Sequence, residues 1–384
     1  MNSTHSRRRT FGFILAVAAS LFLAGIGAAP AAEQDPAITA QDQATLKFVE
    51  KLGGKVSYSG PKIQRHGPHE VDLSGTKATD ADLAELPAMG SFTHLKLGRT
   101  AITDQGLKAL GSRAEIQMLD LSGTKITDAG IAHLASLPNL MDLSLADTAV
   151  TDAGISRLAA VRRLFSLDLK GTHVTATGFK DLASLEILDL DLTGTPLTAE
   201  GLRQICKIAN LRNLSLVDVK SLTAGLGELQ SLGKLRTLKL DGTSITDADV
   251  KKLATLTDLY ELRMSRTAVT DAGIESLATL KNLRTLFLNE TPVTGAGFTK
   301  LATLAKLDDV WLNGSHVTDE GMRGLAALTA LQSVCVEGTA VSNAGIAELG
   351  GLKRLSQVWA RKTKVTSAAA DELRKRGRNC EVHH

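Results

Sequence analysis

Three bulky aromatic residues, Phe287, Trp311 and Trp359, recur at multiples of 24 residues, with Arg263 one interval before the first and Cys335 between the two tryptophans. Aromatic side chains held in one outward column do the chemistry of contact: they desolvate against a partner while polar neighbours set its orientation. Around them stand Tyr260, Glu261, Asn289, Asp309, Asn313, Glu337, Gln357 and Arg361, which give the aromatic centre a hydrogen-bonding rim. The same column carries Asp120, Asp168 and Asp191, carboxylates that suit a basic partner or a cation, although solvated strand faces are commonly charged too. Trp359, nearest the chain end, is also placed to be covered by the C-terminal segment.

Other reactive residue types do not converge. His66 and His69 have a spacing open to a metal, but they flank Gly67-Pro68 with no cysteine or carboxylate set beside them. His173 and His316 lie six repeats apart, and no Ser/His/Asp or Cys/His grouping can be assembled. The expectation is therefore a protein that is not an enzyme, with no metal and no cofactor. Three cysteines are too few for a disulfide framework. Cys206 reads as a buried structural thiol and Cys335 as an exposed free one. Cys335 and Cys380 are nearly two repeats apart, roughly 9–10 Å and beyond disulfide reach.

The elements that position these residues come from one phrase, Gly-Thr-x-Ile/Val-Thr-Asp-Ala-Gly, clearest at Gly123 to Gly130. Its second threonine position recurs thirteen times, from Thr79 through Thr103, Thr127 and Thr151 to Ser342 and Thr366, at 24-residue intervals except for 23, 25 and 23 around Thr198 and Thr223. Leu-x-x-Leu-x-Leu precedes the phrase, as at Leu140, Leu143 and Leu145, and its two-residue alternation predicts a short strand with one leucine face. A run such as Gly130 to Leu137 follows, apolar at three- and four-residue spacing. It predicts a short helix N-capped by Thr127, with Asp128 at its positive end.

One strand and one helix cannot bury their apolar faces alone, so neighbouring copies must stack. The expected fold is an α/β solenoid, a curved horseshoe of about thirteen 24-residue repeats with a parallel sheet on the concave side and helices on the convex back. The threonine of each Gly-Thr pair, such as Thr124 or Thr148, is expected to form a hydroxyl ladder satisfying loop backbone groups. Val217-Asp218-Val219-Lys220 replaces the Gly-Thr turn and predicts a local bend or bulge. It also divides the concave column into an acidic half and a basic-to-aromatic half within one continuous domain.

With Leu-x-x-Leu-x-Leu and Gly-Thr-x-Val-Thr-Asp-Ala-Gly-Ile in place, the pattern over about residues 70 to 384 resembles the bacterial Thr-Asp-Ala-Gly-Leu type of leucine-rich repeat. Phe48 to Val56, before Val71-Asp72-Leu73-Ser74-Gly75-Thr76, is similar to the lead-in of secreted members. A more distant similarity is to the leucine-rich repeats of F-box substrate adaptors, without an F-box-like segment ahead of them. The resemblance implies recognition of a macromolecule and no catalytic residues.

The flanks differ in composition. Arg7 to Arg9, the apolar run Phe11 to Ala29 and Ala29-Pro30-Ala31 read as a secretory signal peptide over residues 1–31, with an uncleaved anchor as the rival. Arg8-Arg9-Thr10-Phe11 partly resembles a twin-arginine signal. Without those residues the 44 Lys and Arg fall to 41, equal to the 41 Asp and Glu, so a general nucleic-acid binder is disfavoured. No other stretch approaches membrane-spanning length. Residues 32–69 read as a linker and N-terminal helical cap in which Leu46, Val49 and Leu52 share a face. The solenoid occupies residues 70–366, and residues 367–384 form a C-terminal cap. The functional expectation is an exported scaffold, periplasmic or extracellular, that binds a protein or peptide on its concave face. A cell-envelope polysaccharide binder and a purely architectural subunit are the alternatives.

Overall fold

The alternation of each Leu-x-Leu segment sends its leucines inward: Leu143 and Leu145, or Leu286 and Leu288, are fully buried while the residue between them faces out. A computed structural model describes residues 40–58, 68–88, 92–111, 113–222, 225–376 and 380–384. The segment read as a signal peptide, most of the linker, His66 and Thr223 lie outside the described residues. Fifteen strands form one open sheet in sequence order, from β1 (Lys55–Tyr58) and β2 (Pro68–Asp72) to β15 (Glu381–His383). All pairs are parallel except β1 with β2, an antiparallel hairpin that the sequence did not reveal. Helix α1 (Ala40–Lys51) packs Phe48 and Val49 against the first core layer, and the helix Ser367–Arg376 buries Ala370 and Leu373 against the last. The apolar core runs unbroken between them.

The turn after each strand is left-handed at one position. Gly75, Gly123, Gly171, Gly194, Gly242, Gly314 and Gly338 have φ between 63° and 70°, and Arg99, Asp147, Asp218, Arg266, Glu290 and Lys362 make the same turn with φ between 55° and 57°. The following threonine hydroxyl donates to the carbonyl three residues back, as Thr124 to Leu121, Thr148 to Leu145 and Thr267 to Met264. The expected ladder is thus present, and it satisfies carbonyls that lie beside the core. At the interruption Val219 has no hydroxyl to give. Asp218 nevertheless keeps the turn, and the pairing Asn213↔Thr237, Leu214↔Leu238, Ser215↔Lys239 continues without a bulge. The predicted bulge is therefore corrected: the turn conformation is kept without the glycine or the threonine, and so is the register.

Thr127, Thr151 and Thr270 cap their helices, each hydroxyl accepting an N–H two residues on at 3.3 Å. Each is also held by the aspartate of the preceding repeat. Asp104 accepts from the Thr127 N–H at 2.8 Å and from its hydroxyl at 2.7 Å, and Asp128 holds Thr151 in the same way. The aspartate thus links repeats as well as complementing its own helix end. It also explains the glycine of Thr-Asp-Ala-Gly: a Cβ at Gly154 or Gly273 would come within 2.5 Å of Asp128 or Asp247. Where the aspartate is replaced, by Ala176 or Gly295, that residue turns left-handed and the segment tightens to a 3-10 helix, Thr177–Asp181 or Ala296–Leu301. There Phe179 and Phe298 fill the core in place of the usual isoleucine.

Candidate binding surface on the open face of the sheet

Two columns of side chains project from the open face, one from each end of the three-residue strands. The register places Lys239, Arg263, Phe287, Trp311, Cys335, Trp359 and His383 on successive strands in the second column. Strand spacing is ~4.8 Å, close to the optimum for ring contact, so parallel strands in register turn a 24-residue period into a stack. The Arg263 guanidinium carbon lies 4.5 Å from the Phe287 ring centroid. Phe287 stacks on Trp311 at 5.5 Å and 19°. Trp311 stacks on Trp359 at 5.6 Å and 21°, although a strand separates them. His383 closes the row on Trp359 at 5.6 Å and 15°. The face of the C-terminal tryptophan is thus covered by the last strand, while the side chain stays half-exposed.

Cys335 explains how the tryptophans meet. Its small side chain leaves a gap between them, both indoles lean across it, and the thiol is 3 % exposed. The expectation of an exposed thiol is overturned. Burial pushes the Cys335 pKa up to about 12 and that of Cys206, at the end of its helix, up to about 11, so neither is a nucleophile at neutral pH. All three cysteines are free.

The rim residues divide by column. Glu261, Asp309 and Gln357 occupy the first column on the open face, and no ion pair engages Glu261 or Asp309 among the described residues. Asn289 and Asn313 lie just beyond the strands and are committed to the fold. The Asn289 side-chain oxygen accepts the Asn313 N–H, and the Asn313 oxygen accepts the Glu337 N–H, both at 2.9 Å. Arg263 donates through Nε to Asp241 Oδ2 at 2.8 Å, which holds it over Phe287. Arg361 is exposed beside this edge. Tyr260 is separate, 44 % exposed ahead of its strand, with the Arg284 guanidinium 5.7 Å from its ring. Neither indole N–H has a hydrogen-bond partner among the described residues. No buried side-chain nitrogen or oxygen there lacks one, so both remain open to solvent.

The first column was read from sequence only at Glu261, Asp309 and Gln357, and the part not read holds the stronger electrostatics. Asp142 and Asp189 project there beside Asp120, Asp168 and Asp191 of the second column. Burial, then the neighbouring charges of Asp189, Asp168 and Asp120, push the Asp142 pKa up to about 6 against a hydrogen bond from Ser166. Burial raises Asp168 and Asp189 as well, with Ser144 and Asn213 donating to them. At the N-terminal end the His69 and His94 rings meet at 3.7 Å, both bonded to the Thr93 hydroxyl, and burial followed by the His69 charge lowers His94 to about 4. Among the described residues no group of three His, Cys, Asp or Glu side chains is arranged to hold a metal, and no helix is long and apolar enough to cross a membrane.

Comparison with known proteins points to the same architecture. The Leucine Rich repeat family matches residues 91–111 and 116–135. An internalin from Listeria monocytogenes superposes with a TM-score of 0.61 at 20% identity, over 82% of this chain and 86% of that one. A leucine-rich-repeat protein of Leptospira interrogans gives a TM-score of 0.48 at 16% identity, over 79% of this chain and 86% of that one. No curated protein sequence matches the chain. One open sheet of in-register strands, backed by a short helix per repeat and matched along most of its length by an internalin, is the leucine-rich-repeat solenoid fold.

Proposed function

We propose that this chain is a non-catalytic scaffold, exported from the cell, that recognises a protein or peptide on the concave sheet face, centred on Arg263, Phe287, Trp311 and Trp359. The observation that carries this reading is the continuous stack from Arg263 to His383, half-exposed and braced by the fold. A side chain already fixed by its neighbours loses little entropy on binding, which makes a rigid aromatic row an efficient contact surface. Open solenoids offer such extended surfaces in general. The stack also favours peptide over polysaccharide. Sugars pack their apolar faces on aromatic ring faces, and here ring neighbours, Arg263 and His383 cover those faces. What is left is ring edges and two indole N–H donors, which suit side chains and peptide carbonyls.

The test compares captures from envelope and culture fractions by the mature protein and by a Phe287→Ala/Trp311→Ala variant of equal circular dichroism. The variant is expected to lose a specific protein, since aromatic anchors contribute roughly 2 kcal/mol or more each, a loss of roughly 30-fold or greater. Identical captures would return the stack to a purely structural role.

A further inference from the structure

The two strand columns are unequal in charge in a way that the whole chain is not. The first carries six carboxylates, Glu70, Asp142, Asp189, Glu261, Asp309 and Glu381, and no lysine or arginine. The second carries four, Asp72, Asp120, Asp168 and Asp191, against Lys96, Lys239 and Arg263. The chain overall has 44 Lys and Arg against 41 Asp and Glu, so the excess on this face is a segregation and not a property of the composition. Of the three cations in the columns, Lys96 pairs with Glu70 at 2.6 Å and Arg263 with Asp241 at 2.8 Å, outside both columns; Lys55 of β1 stands opposite Asp72, and Lys170, Arg212 and Arg284 flank Asp168, Asp189 and Asp309. Asp72, Asp120, Asp168 and Asp191 each accept the backbone N–H two residues on, and Asp189 accepts from Asn213, whereas Glu261 and Asp309 carry no side-chain hydrogen bond or ion pair among the described residues.

We propose that the partner is cationic: an extended polypeptide segment bearing lysine or arginine, lying along the row of strands with its basic side chains over the carboxylate columns and an apolar part against the aromatic stack. This rests on the reading of the sheet face as a binding surface. Charge complementarity selects the sign of the ligand, and the spread of the carboxylates selects its length. They are strung from β2 to β15, and no three of them gather to hold a metal, so a small cation meets them one or two at a time while a chain meets many. Nucleic acid is repelled by the same field.

The experiment uses the chain from residue 32 to 384 and three fluorescein-labelled peptides with identical leucine and phenylalanine positions, whose remaining residues are lysine, glutamate or serine. Fluorescence anisotropy is read at low and at physiological salt. The lysine peptide is expected to bind roughly tenfold or more tightly than the serine peptide and the glutamate peptide least, with the preference shrinking as salt rises. Asp142→Asn/Asp168→Asn/Asp189→Asn should bring the lysine peptide toward the serine peptide. Phe287→Ala/Trp311→Ala should weaken all three alike. Equal binding of the three peptides, still lost in the aromatic variant, overturns the cationic partner and leaves the aromatic surface standing. Tighter binding of the glutamate peptide overturns it as well. Absence of binding by every peptide at millimolar concentration, with folding intact, removes both readings for extended segments.

Discussion

At the scale of single residues, the open face combines side chains that are settled with side chains that are not. Phe287 and Trp311 were legible because a 24-residue period in parallel strands can only put them side by side, and the stack follows from strand spacing. His383 and the burial of Cys335 were not legible, because both depend on the indoles leaning, which no spacing rule contains. Asp142 was missed because the position before the first leucine was read as outward only beside the aromatic residues, at Glu261, Asp309 and Gln357, although it faces out here too. It is an unsettled group with a signed consequence. Its folded pKa of about 6 lies above the unfolded value of about 3.9, so ionising it costs stability. The cost is absent below about pH 4, grows as pH rises and is complete above about pH 6. Asp142→Asn, which keeps an acceptor for Ser166, should therefore stabilise the protein by roughly 1–3 kcal/mol at pH 7 and by almost nothing at pH 4. Urea unfolding at the two pH values checks this, and an equal gain at both would assign the effect to something other than charge.

At the scale of the element, one turn, one cap and one link to the next repeat recur together. The turn was legible as Gly-Thr, but its tolerance for Arg99, Glu290 or Lys362 at positive φ was not, since residue type alone argues against them there. The neighbouring strands and the threonine hydroxyl hold the conformation regardless. Lys362 is exposed at φ 56°, so Lys362→Gly should stabilise by roughly 0.5–1 kcal/mol, relief of left-handed strain outweighing the added freedom of the unfolded chain. Gly194, at φ 70° with nothing within 4 Å of a built Cβ, is the mirror test: Gly194→Ala should cost roughly 1 kcal/mol by conformation alone. Urea midpoints at constant slope read both changes, and a destabilised Lys362→Gly would show that the lysine makes a stabilising contact. The helices were legible as helices but not their 3-10 form at Thr177–Asp181 and Ala296–Leu301, which goes with the left-handed turn of Ala176 and Gly295; Ala199, also in the aspartate's place, starts an ordinary α-helix.

At the scale of the molecule, the solenoid is continuous in its core and uneven in its links. Between Thr175 and Thr246 no aspartate at a helix start holds the next capping threonine among the described residues: Ala176 and Ala199 stand in its place, Thr198 leans on the Thr175 carbonyl, and Thr246 is boxed by its own Asp249. Val219 removes one rung of the hydroxyl ladder in the same stretch. Leu216, Val219, Leu222, Leu226 and Leu229 nevertheless bury fully or nearly so across it. The expected outcome is one cooperative unfolding transition with a local minimum of hydrogen-exchange protection over residues 213–232 relative to residues 118–137. Two separate transitions in fragments divided near Ser221 would contradict a single domain. Period, parallel pairing of the sheet and core were all legible from the repeat. The position of the weak stretch was legible only as an interruption, since its cause is a set of hydrogen bonds to neighbours 23 residues away. The stack has a further consequence. The protein contains two tryptophans and both stand in it, 5.6 Å apart. All indole emission therefore originates at the surface assigned to binding, and two parallel chromophores at that distance couple their transitions, so the ultraviolet spectrum of the unlabelled protein is a gauge of whether that surface is occupied or disturbed.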